Sequence, residues 1–114
     1  MPDCLFCKII NHEIPATVIY EDERLVAFKD INRQAPTHVL IVPRRHVATL
    51  NDLTPDDHDL VGEMVERAAR IADEAGHAAA GYRTVFNCNE DAGQTVFHIH
   101  LHLLGGRPMG WPPG

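Results

Sequence analysis

The chain has 114 residues, of which 45% are hydrophobic and 23% charged, a composition typical of globular rather than disordered proteins. This length suits one domain, spanning residues 1–114, and leaves no room for a second core. The 10 basic and 16 acidic residues give a formal net charge of -6. That charge excludes a protein that binds bulk nucleic acid through the phosphate backbone.

Targeting and redox signals are few. No apolar run approaches the ~20 residues of a membrane span. The N-terminus has neither the basic nor the long apolar region of a signal peptide. We therefore expect a cytoplasmic protein with no membrane partner. Three cysteines, at positions 4, 7 and 88, favour free thiols or a metal over a disulfide framework.

The first half of the chain predicts one short helix and three strands. Residues 4–14 carry apolar side chains at helical spacing. Residues 17–20 and 25–29 are apolar and β-branched stretches around a charged turn, which indicates a hairpin. A further strand over 39–42 is ended by Pro43.

The second half predicts a long helix followed by two strands. Residues 54–57 supply an N-cap, a proline and two acids, and one apolar face then continues to Gly76. Strands follow over 82–88 and 95–104. This order predicts an α+β domain with an antiparallel sheet and both helices, one long and one short, on one side.

Histidines dominate the last strand, where residues 97–103 alternate without a break. Because strand side chains alternate between faces, the three histidines His98, His100 and His102 share one face. The three aliphatic residues on the opposite face are expected in the core; they are Ile99, Leu101 and Leu103. Neighbouring imidazoles would lie roughly 7 Å apart. One interpretation is a metal with histidine ligands. The other is a neutral imidazole nucleophile whose neighbours handle protons.

The histidines belong to a longer series of motifs. In chain order these are Ile14-Pro15-Ala16, Phe28-Lys29-Asp30-Ile31, Gln34-Ala35-Pro36-Thr37-His38, Pro43-Arg44-Arg45-His46, residues 93–107 and Trp111-Pro112-Pro113-Gly114. Together they resemble the histidine-triad superfamily and, within it, the Hint branch of nucleoside phosphoramidases. The resemblance implies a HIT-like fold and a homodimer in which two sheets join.

The resemblance also implies an activity, the hydrolysis of purine nucleoside 5′-phosphoramidates without a catalytic metal. His100 would be the nucleophile that forms a nucleotidyl-histidine, and His102 would contact the phosphate. His38 would complete the proton-handling network. Thr95 would add a hydroxyl donor where serine is usual in this branch.

Nucleotide contacts follow from the same resemblance. Asp30 would accept hydrogen bonds from the ribose hydroxyls, since a carboxylate offers two acceptor oxygens, and Phe6, Ile9 and Phe28 would form the slot for the base. The full expected set is Phe6, Phe28, Asp30, Ile31, Asn87, Gly93, Gln94, Thr95, His100 and His102. Trp111 resembles a residue that reaches towards the partner subunit's site.

The cysteines point to a second site. Cys4 and Cys7 form a C-x-x-C pair that could join His46 and His98 in a closed Cys2His2 zinc site of structural type. Many microbial members of the family carry this pair and bind zinc there. A redox-active dithiol and two inert thiols are the alternatives.

Several functions remain open from the residues alone. A dinucleoside polyphosphate or acyl-adenylate hydrolase would use the same histidines, and a nucleotide-binding or scaffold protein would need no turnover. Uridylyltransferases of the superfamily replace the third histidine with glutamine, so His102 argues against that class.

Overall fold

The computed structural model describes residues 3–114. Its helices are α1 (Leu5–Ile10) and α2 (His58–Glu74), and its strands are β1 (Val18–Glu21), β2 (Leu25–Lys29), β3 (Thr37–Pro43), β4 (Tyr82–Val85) and β5 (Leu101–Gly105). The strands form one antiparallel sheet in the order β1-β2-β3-β5-β4. The α+β class and the antiparallel sheet are therefore confirmed. None of the helices described is long and apolar enough to cross a bilayer.

The long helix covers one face of the sheet. Strands β2 and β3 contribute Leu25, Ala27, Val39 and Ile41 to a core that includes Met64 of α2. These strand positions alternate, as side chains on one face of a sheet must. The aliphatic residues that alternate with His98, His100 and His102 enter this same core as predicted; they are Ile99, Leu101 and Leu103.

The short helix packs on the opposite face, which corrects the prediction that both helices share one side. Phe6 and Ile9 of α1 pack against the other alternating set of β2 and β3, which includes Phe28 and Leu40. Leu25 to Phe28 are all buried, because a strand between two helical layers has no solvent face. The space beside α1 is where the histidines lie.

The predicted helix over 4–14 is also longer than α1. Asn11 caps the helix, and His12 adopts a positive φ of 62°, a left-handed conformation that cannot continue a right-handed helix. The N-cap expected at residues 54–57 is present, but it precedes a short 3-10 turn, and α2 itself begins at His58. Thr54 and Asp57 form a capping box around a 3-10 turn, Pro55–Asp57, that precedes α2.

The last strand is shorter than the predicted 95–104, because β5 begins only at Leu101. Its partner β3 ends at Pro43, which has no N–H for the next rung of the ladder. The N–H of Ile99 donates instead to the carbonyl of Val47 at 2.7 Å. Strand β4 likewise ends at Val85 rather than at residue 88.

Gly105 packs directly against the ring of His77, so a larger residue at this position is expected to destabilise the fold. A Cβ at this position would lie 2.6 Å from Cδ2 of His77, whose ring is held by a 2.8 Å contact between its Nε2 and Oγ1 of Thr37. We expect Gly105→Ala to lower the free energy of unfolding in urea by about 1–3 kcal/mol through overpacking.

Gly62 provides the matched control for this prediction. It lies within α2, and a Cβ there would meet nothing within 4 Å. Gly62→Ala should therefore raise the free energy of unfolding by about 0.5–1 kcal/mol. Equal effects of the two substitutions would contradict the importance of the His77 contact.

Candidate active site and candidate metal centre

A cavity of about 520 Å³ opens beside α1. Seven of the ten expected nucleotide contacts line it, and so does His38, which was expected as a catalytic residue. The seven are Phe6, Phe28, Asp30, Ile31, Thr95, His100 and His102. Sequence reasoning missed Ile14, Ala16 and Leu40, which also line it. Leu40 lies opposite His102 in the β3–β5 ladder, so the strand register is the signal that would have found it.

Aromatic side chains form the apolar end of the cavity. The Phe6 and Phe28 rings pack edge to face, with their centroids 5.4 Å apart. Phe6 also meets the ring of His100 at 4.9 Å and 89°. Ile31 is fully exposed at the rim. An apolar pocket with a few polar groups at one end is the usual form of a small-molecule site.

His100 is held with one ring nitrogen bonded and the other bare. Its Nδ1 lies 2.8 Å from the carbonyl oxygen of His98. A carbonyl only accepts, so Nδ1 carries the proton and Nε2 of the neutral ring carries a lone pair. Within residues 3–114 no protein group hydrogen-bonds to this Nε2. The ring therefore presents a base or nucleophile to the cavity.

His38 and His102 form a pair with a defined direction. The N–H of Gln34 donates to Nδ1 of His38 at 3.1 Å, so the proton of a neutral His38 is on Nε2. That Nε2 lies 2.9 Å from Nδ1 of His102 and donates to it. His102 then carries its own proton on Nε2. The pair therefore offers an N–H donor beside the bare nitrogen of His100.

Burial keeps these rings neutral. It lowers the pKa of His100 and of His38 below the ordinary value of 6.5. Burial also lowers the pKa of His102 to about 4, with repulsion from His100 and His38 adding to the effect. The ring centroids of His100 and His102 are 4.9 Å apart, closer than the 7 Å expected along a regular strand. Charged rings at that separation would repel each other.

The lowered pKa of His102 predicts a pH-dependent stability. Since an unfolded histidine titrates near 6.5, the unfolded chain takes up this proton first as the pH falls. The stabilisation that comes from keeping His102 neutral is therefore fully present above about pH 6.5. It is lost progressively as the pH falls towards about 4, the pKa of His102 in the folded protein. Urea unfolding between pH 7.5 and 4.5 should show this loss. The loss should be smaller in His102→Gln, and an unchanged loss would contradict the assignment.

The loop before His98 does not present Gly93 and Gln94 to the cavity, although both were expected to contact the nucleotide. The N–H of Gly93 donates to the carbonyl of Glu90 and that of Gln94 to the carbonyl of Asn89. The side chain of Gln94 is buried and bonds to backbone groups of Ala48, Val96 and Asn89. These groups hold the loop. Of residues 93–95, Thr95 alone lines the cavity, and Asn87 lies outside its lining.

A second cluster lies next to the first. It consists of Cys4, Cys7, His46 and His98, whose donor atoms all lie within 4.8 Å of one another. Three of the four Cys–His separations are 3.3–3.6 Å, namely Cys4–His98, Cys7–His46 and Cys7–His98, and the two Nδ1 atoms are 3.2 Å apart. Tetrahedral zinc bonds imply about 3.5 Å and 3.3 Å respectively. The donor set and its spacing therefore fit zinc.

Protonation supports this fit. The Nε2 of His98 lies 2.7 Å from the carbonyl of Pro43 and so carries the proton, which leaves Nδ1 free to bind a metal. Asp30, His38 and His102 also lie close enough for a metal. However, the Gln34 N–H on Nδ1 of His38 requires its Nε2 to keep a proton. The cavity histidines His38, His100 and His102 could therefore exchange protons, and the Cys/His cluster could hold a metal.

Comparisons with known proteins identify relatives of this chain. A family model described as "Scavenger mRNA decapping enzyme C-term binding" matches residues 3–110. The purine nucleoside phosphoramidase of Escherichia coli K12 is 47% identical over 108 residues, which cover 95% of this chain and 91% of that protein. An uncharacterized HIT-like protein of Synechocystis is 49% identical over 112 residues, 98% of this chain and 97% of that protein.

Solved structures give the same result. A HIT family hydrolase from Legionella pneumophila has a TM-score of 0.97 and 56% identity, covering 98% of this chain and all of that one. One from Clostridium thermocellum has a TM-score of 0.93 and 47% identity, covering 96% of each.

Fold and site define a class of small α+β proteins that hold a histidine cluster in a cavity beside an antiparallel sheet. The chain belongs to the histidine triad (HIT) family.

Proposed function

We propose that this protein is a purine nucleotide-binding hydrolase, a nucleoside 5′-phosphoramidase that cleaves the P–N bond of adenosine phosphoramidates. The observation that carries the proposal is the bare Nε2 of a buried, neutral His100 beside the Nε2–H of His102. A lone pair next to a hydrogen-bond donor suits attack on a phosphoryl group. The Escherichia coli relative, a purine nucleoside phosphoramidase, supports the same reaction class.

In the first step, Nε2 of His100 forms a bond to the α-phosphorus while the P–N bond breaks. The departing nitrogen takes up one proton from solvent water and leaves as an amine. The Nε2–H of His102 donates to a non-bridging phosphate oxygen, where negative charge is concentrated. Thr95 lines the same cavity, and we assign its hydroxyl to hydrogen bonding at the leaving-group side.

In the second step, water attacks the phosphorus of the nucleotidyl-histidine and gives up one proton to the solvent. The P–N bond to His100 breaks, its electron pair returns to Nε2, and the nucleoside monophosphate leaves. The carbonyl of His98 holds Nδ1–H in both steps, so the same nitrogen is free again after turnover. No metal takes part in either step.

The nucleotide would lie along the cavity from its apolar end to the histidines. Phe6, Phe28 and Ile31 would contact the base, and Asp30 would accept hydrogen bonds from the ribose hydroxyls. Since the N–H groups of Gly93 and Gln94 are already paired, the phosphate would be held by His102 and Thr95 instead.

A substrate comparison tests this function. Purified protein is mixed with adenosine 5′-phosphoramidate, diadenosine tetraphosphate or an acyl-adenylate, and release of AMP is followed by chromatography. We expect the highest kcat/KM for the phosphoramidate. Faster cleavage of either other compound would reassign the substrate class. Tight AMP binding without turnover of any compound would indicate a nucleotide-binding protein.

We also propose that Cys4, Cys7, His46 and His98 hold a structural zinc ion. The spacing of the four donors and the proton on Nε2 of His98 support it. Bound there, zinc would tie α1 to the segments carrying His46 and His98. Its contribution would be to fold stability and to the position of Phe6, which lies between the two cysteines.

We propose finally that two copies form a homodimer by joining their sheets. Strand β4 is an edge strand, whose unpaired backbone groups can accept another strand. Tyr82 on β4 and Val65 on α2 are exposed apolar side chains, and Trp111 is 83% exposed. Light scattering should give twice the chain mass of 12.7 kDa. The mass of a single chain would contradict the dimer.

A further inference from the structure

Asp30 contacts more than the expected ribose position. One carboxylate oxygen, Oδ1, accepts the N–H of Asn32 at 2.9 Å. The other, Oδ2, lies 3.4 Å from Nε2 of His38, the nitrogen that donates to His102. The carboxylate is only 19% exposed. It is thus fixed on one side and directed at the His38–His102 pair on the other.

Its charge acts on the whole histidine cluster. Among residues 3–114, Asp30 is the one carboxylate that lines the cavity. Burial lowers the pKa of His38, His100 and His102, and attraction to Asp30 opposes that shift at all three. A negative group at this position therefore affects the rings even before a nucleotide binds.

The tautomer of His38 depends on what faces each nitrogen. A donor, the Gln34 N–H, faces Nδ1, and two acceptors, Nδ1 of His102 and Oδ2 of Asp30, face Nε2. With the proton on Nε2 of His38, His102 must present Nε2–H to the cavity. In the opposite tautomer His102 would direct a lone pair at an anionic phosphate, which is repulsive.

We propose that Asp30 is a positioning residue for the chemical step as well as a ribose contact. Its Oδ2 holds His38 in the Nε2–H tautomer and thereby keeps His102 as the donor to the phosphate. This inference rests on the proposed hydrolase function. It differs from ribose binding alone because it predicts an effect of Asp30 on kcat when the substrate has no ribose hydroxyls.

A substrate without the diol separates the two roles. Wild type and Asp30→Asn are compared on adenosine 5′-phosphoramidate and on its 2′,3′-dideoxy analogue. If Asp30 only binds ribose, the substitution has no effect on the dideoxy substrate. If Asp30 also positions His38, kcat for the dideoxy substrate falls by about tenfold or more, because a wrong tautomer costs rate rather than binding.

Two further measurements locate the effect. In a His38→Gln background, Asp30→Asn should cause no additional loss of kcat on the dideoxy substrate, since the group it acts through is gone. Asp73→Asn, an exposed position on α2, should leave both substrates unaffected. Equal kcat for wild type and Asp30→Asn on the dideoxy substrate would overturn the proposal.

Ring-nitrogen NMR provides a readout that needs no turnover. In ¹⁵N-labelled wild type, His38 should show the proton on Nε2, and in Asp30→Asn the signals should shift towards a mixture of tautomers. An unchanged His38 tautomer in Asp30→Asn would also overturn the positioning role. If wild type hydrolyses neither substrate, the proposed function fails, while the NMR result still decides the role of Asp30.

Discussion

Replacement of His100 by alanine is expected to lower kcat for adenosine 5′-phosphoramidate by about 10⁴-fold or more, the order of loss that follows removal of a nucleophile. Its Nε2 faces the cavity without a hydrogen-bond partner. Among residues 3–114 no other side chain lining the cavity offers an equivalent nitrogen lone pair, because Nδ1 of His102 and Nδ1 of His38 are already paired. The same substitution should abolish the covalent intermediate. Intact-mass analysis after a neutral quench would show an adenylate-sized adduct on wild type only.

The matched control for this result is His58→Ala. His58 is exposed at the start of α2, on the other side of the sheet, so kcat and the adduct should both be retained. His100 itself is buried against Phe6, and His100→Gln keeps more of its volume should the alanine variant unfold. An adduct on His100→Gln, or AMP release without any adduct in single turnover, would contradict nucleophilic catalysis at His100.

Loss of the proposed zinc is expected to be the largest stability effect. Removing the ion with a chelator, or replacing both Cys4 and Cys7 with serine, should lower the free energy of unfolding by about 3 kcal/mol or more. For a chain of this size, that corresponds to a fall in Tm of about 10 °C or more. The physical reason is that four side chains from three separate segments lose their common ligand. Metal analysis should find one zinc per chain before treatment and none after it.

Cys88→Ser is the control for the metal prediction. Cys88 is a free cysteine that lies outside the cluster, so its replacement should leave both the metal content and Tm nearly unchanged. His100→Ala should also retain the zinc. Zinc that persisted in the Cys4→Ser, Cys7→Ser variant but was lost with His100 would instead place the metal on the triad face.

The sequence predicts the bounds of a strand well where charged or polar residues flank both ends of its apolar run. Strand β2 has the predicted bounds, residues 25–29, because its apolar run is flanked by a charged turn and by polar residues. The extent of β5 was not predictable in this way. Its start depends on Pro43, 58 positions earlier in the chain, which ends the ladder of its partner β3. Strand length is therefore decided by the neighbour as much as by the strand itself.

The side of the sheet that α1 covers was wrongly predicted, although the sequence contains the relevant signal. Residues 25–28 and 39–42 are continuous apolar runs, which are typical of strands covered on both faces. Two helices on one side would have left half of those side chains exposed. Because the cavity with the candidate active site lies between α1 and this second face, the side of the sheet on which α1 packs also decides where the cavity forms.

Sequence by itself determined the chemical groups of this protein: three alternating histidines, a fourth in Ala-Pro-Thr-His, a C-x-x-C pair and one aspartate in the motif that follows Phe28. The tertiary structure alone decided which nitrogen of each histidine is free. That choice depends on backbone groups of Gln34, Pro43 and His98 and, for His102, on the side chain of His38. A hydrogen-bond acceptor or donor that faces one ring nitrogen places the proton. Nδ1 of His98 is thereby left free for the proposed zinc, Nε2 of His100 for the proposed attack, and Nε2–H of His102 for the proposed hydrogen bond to phosphate.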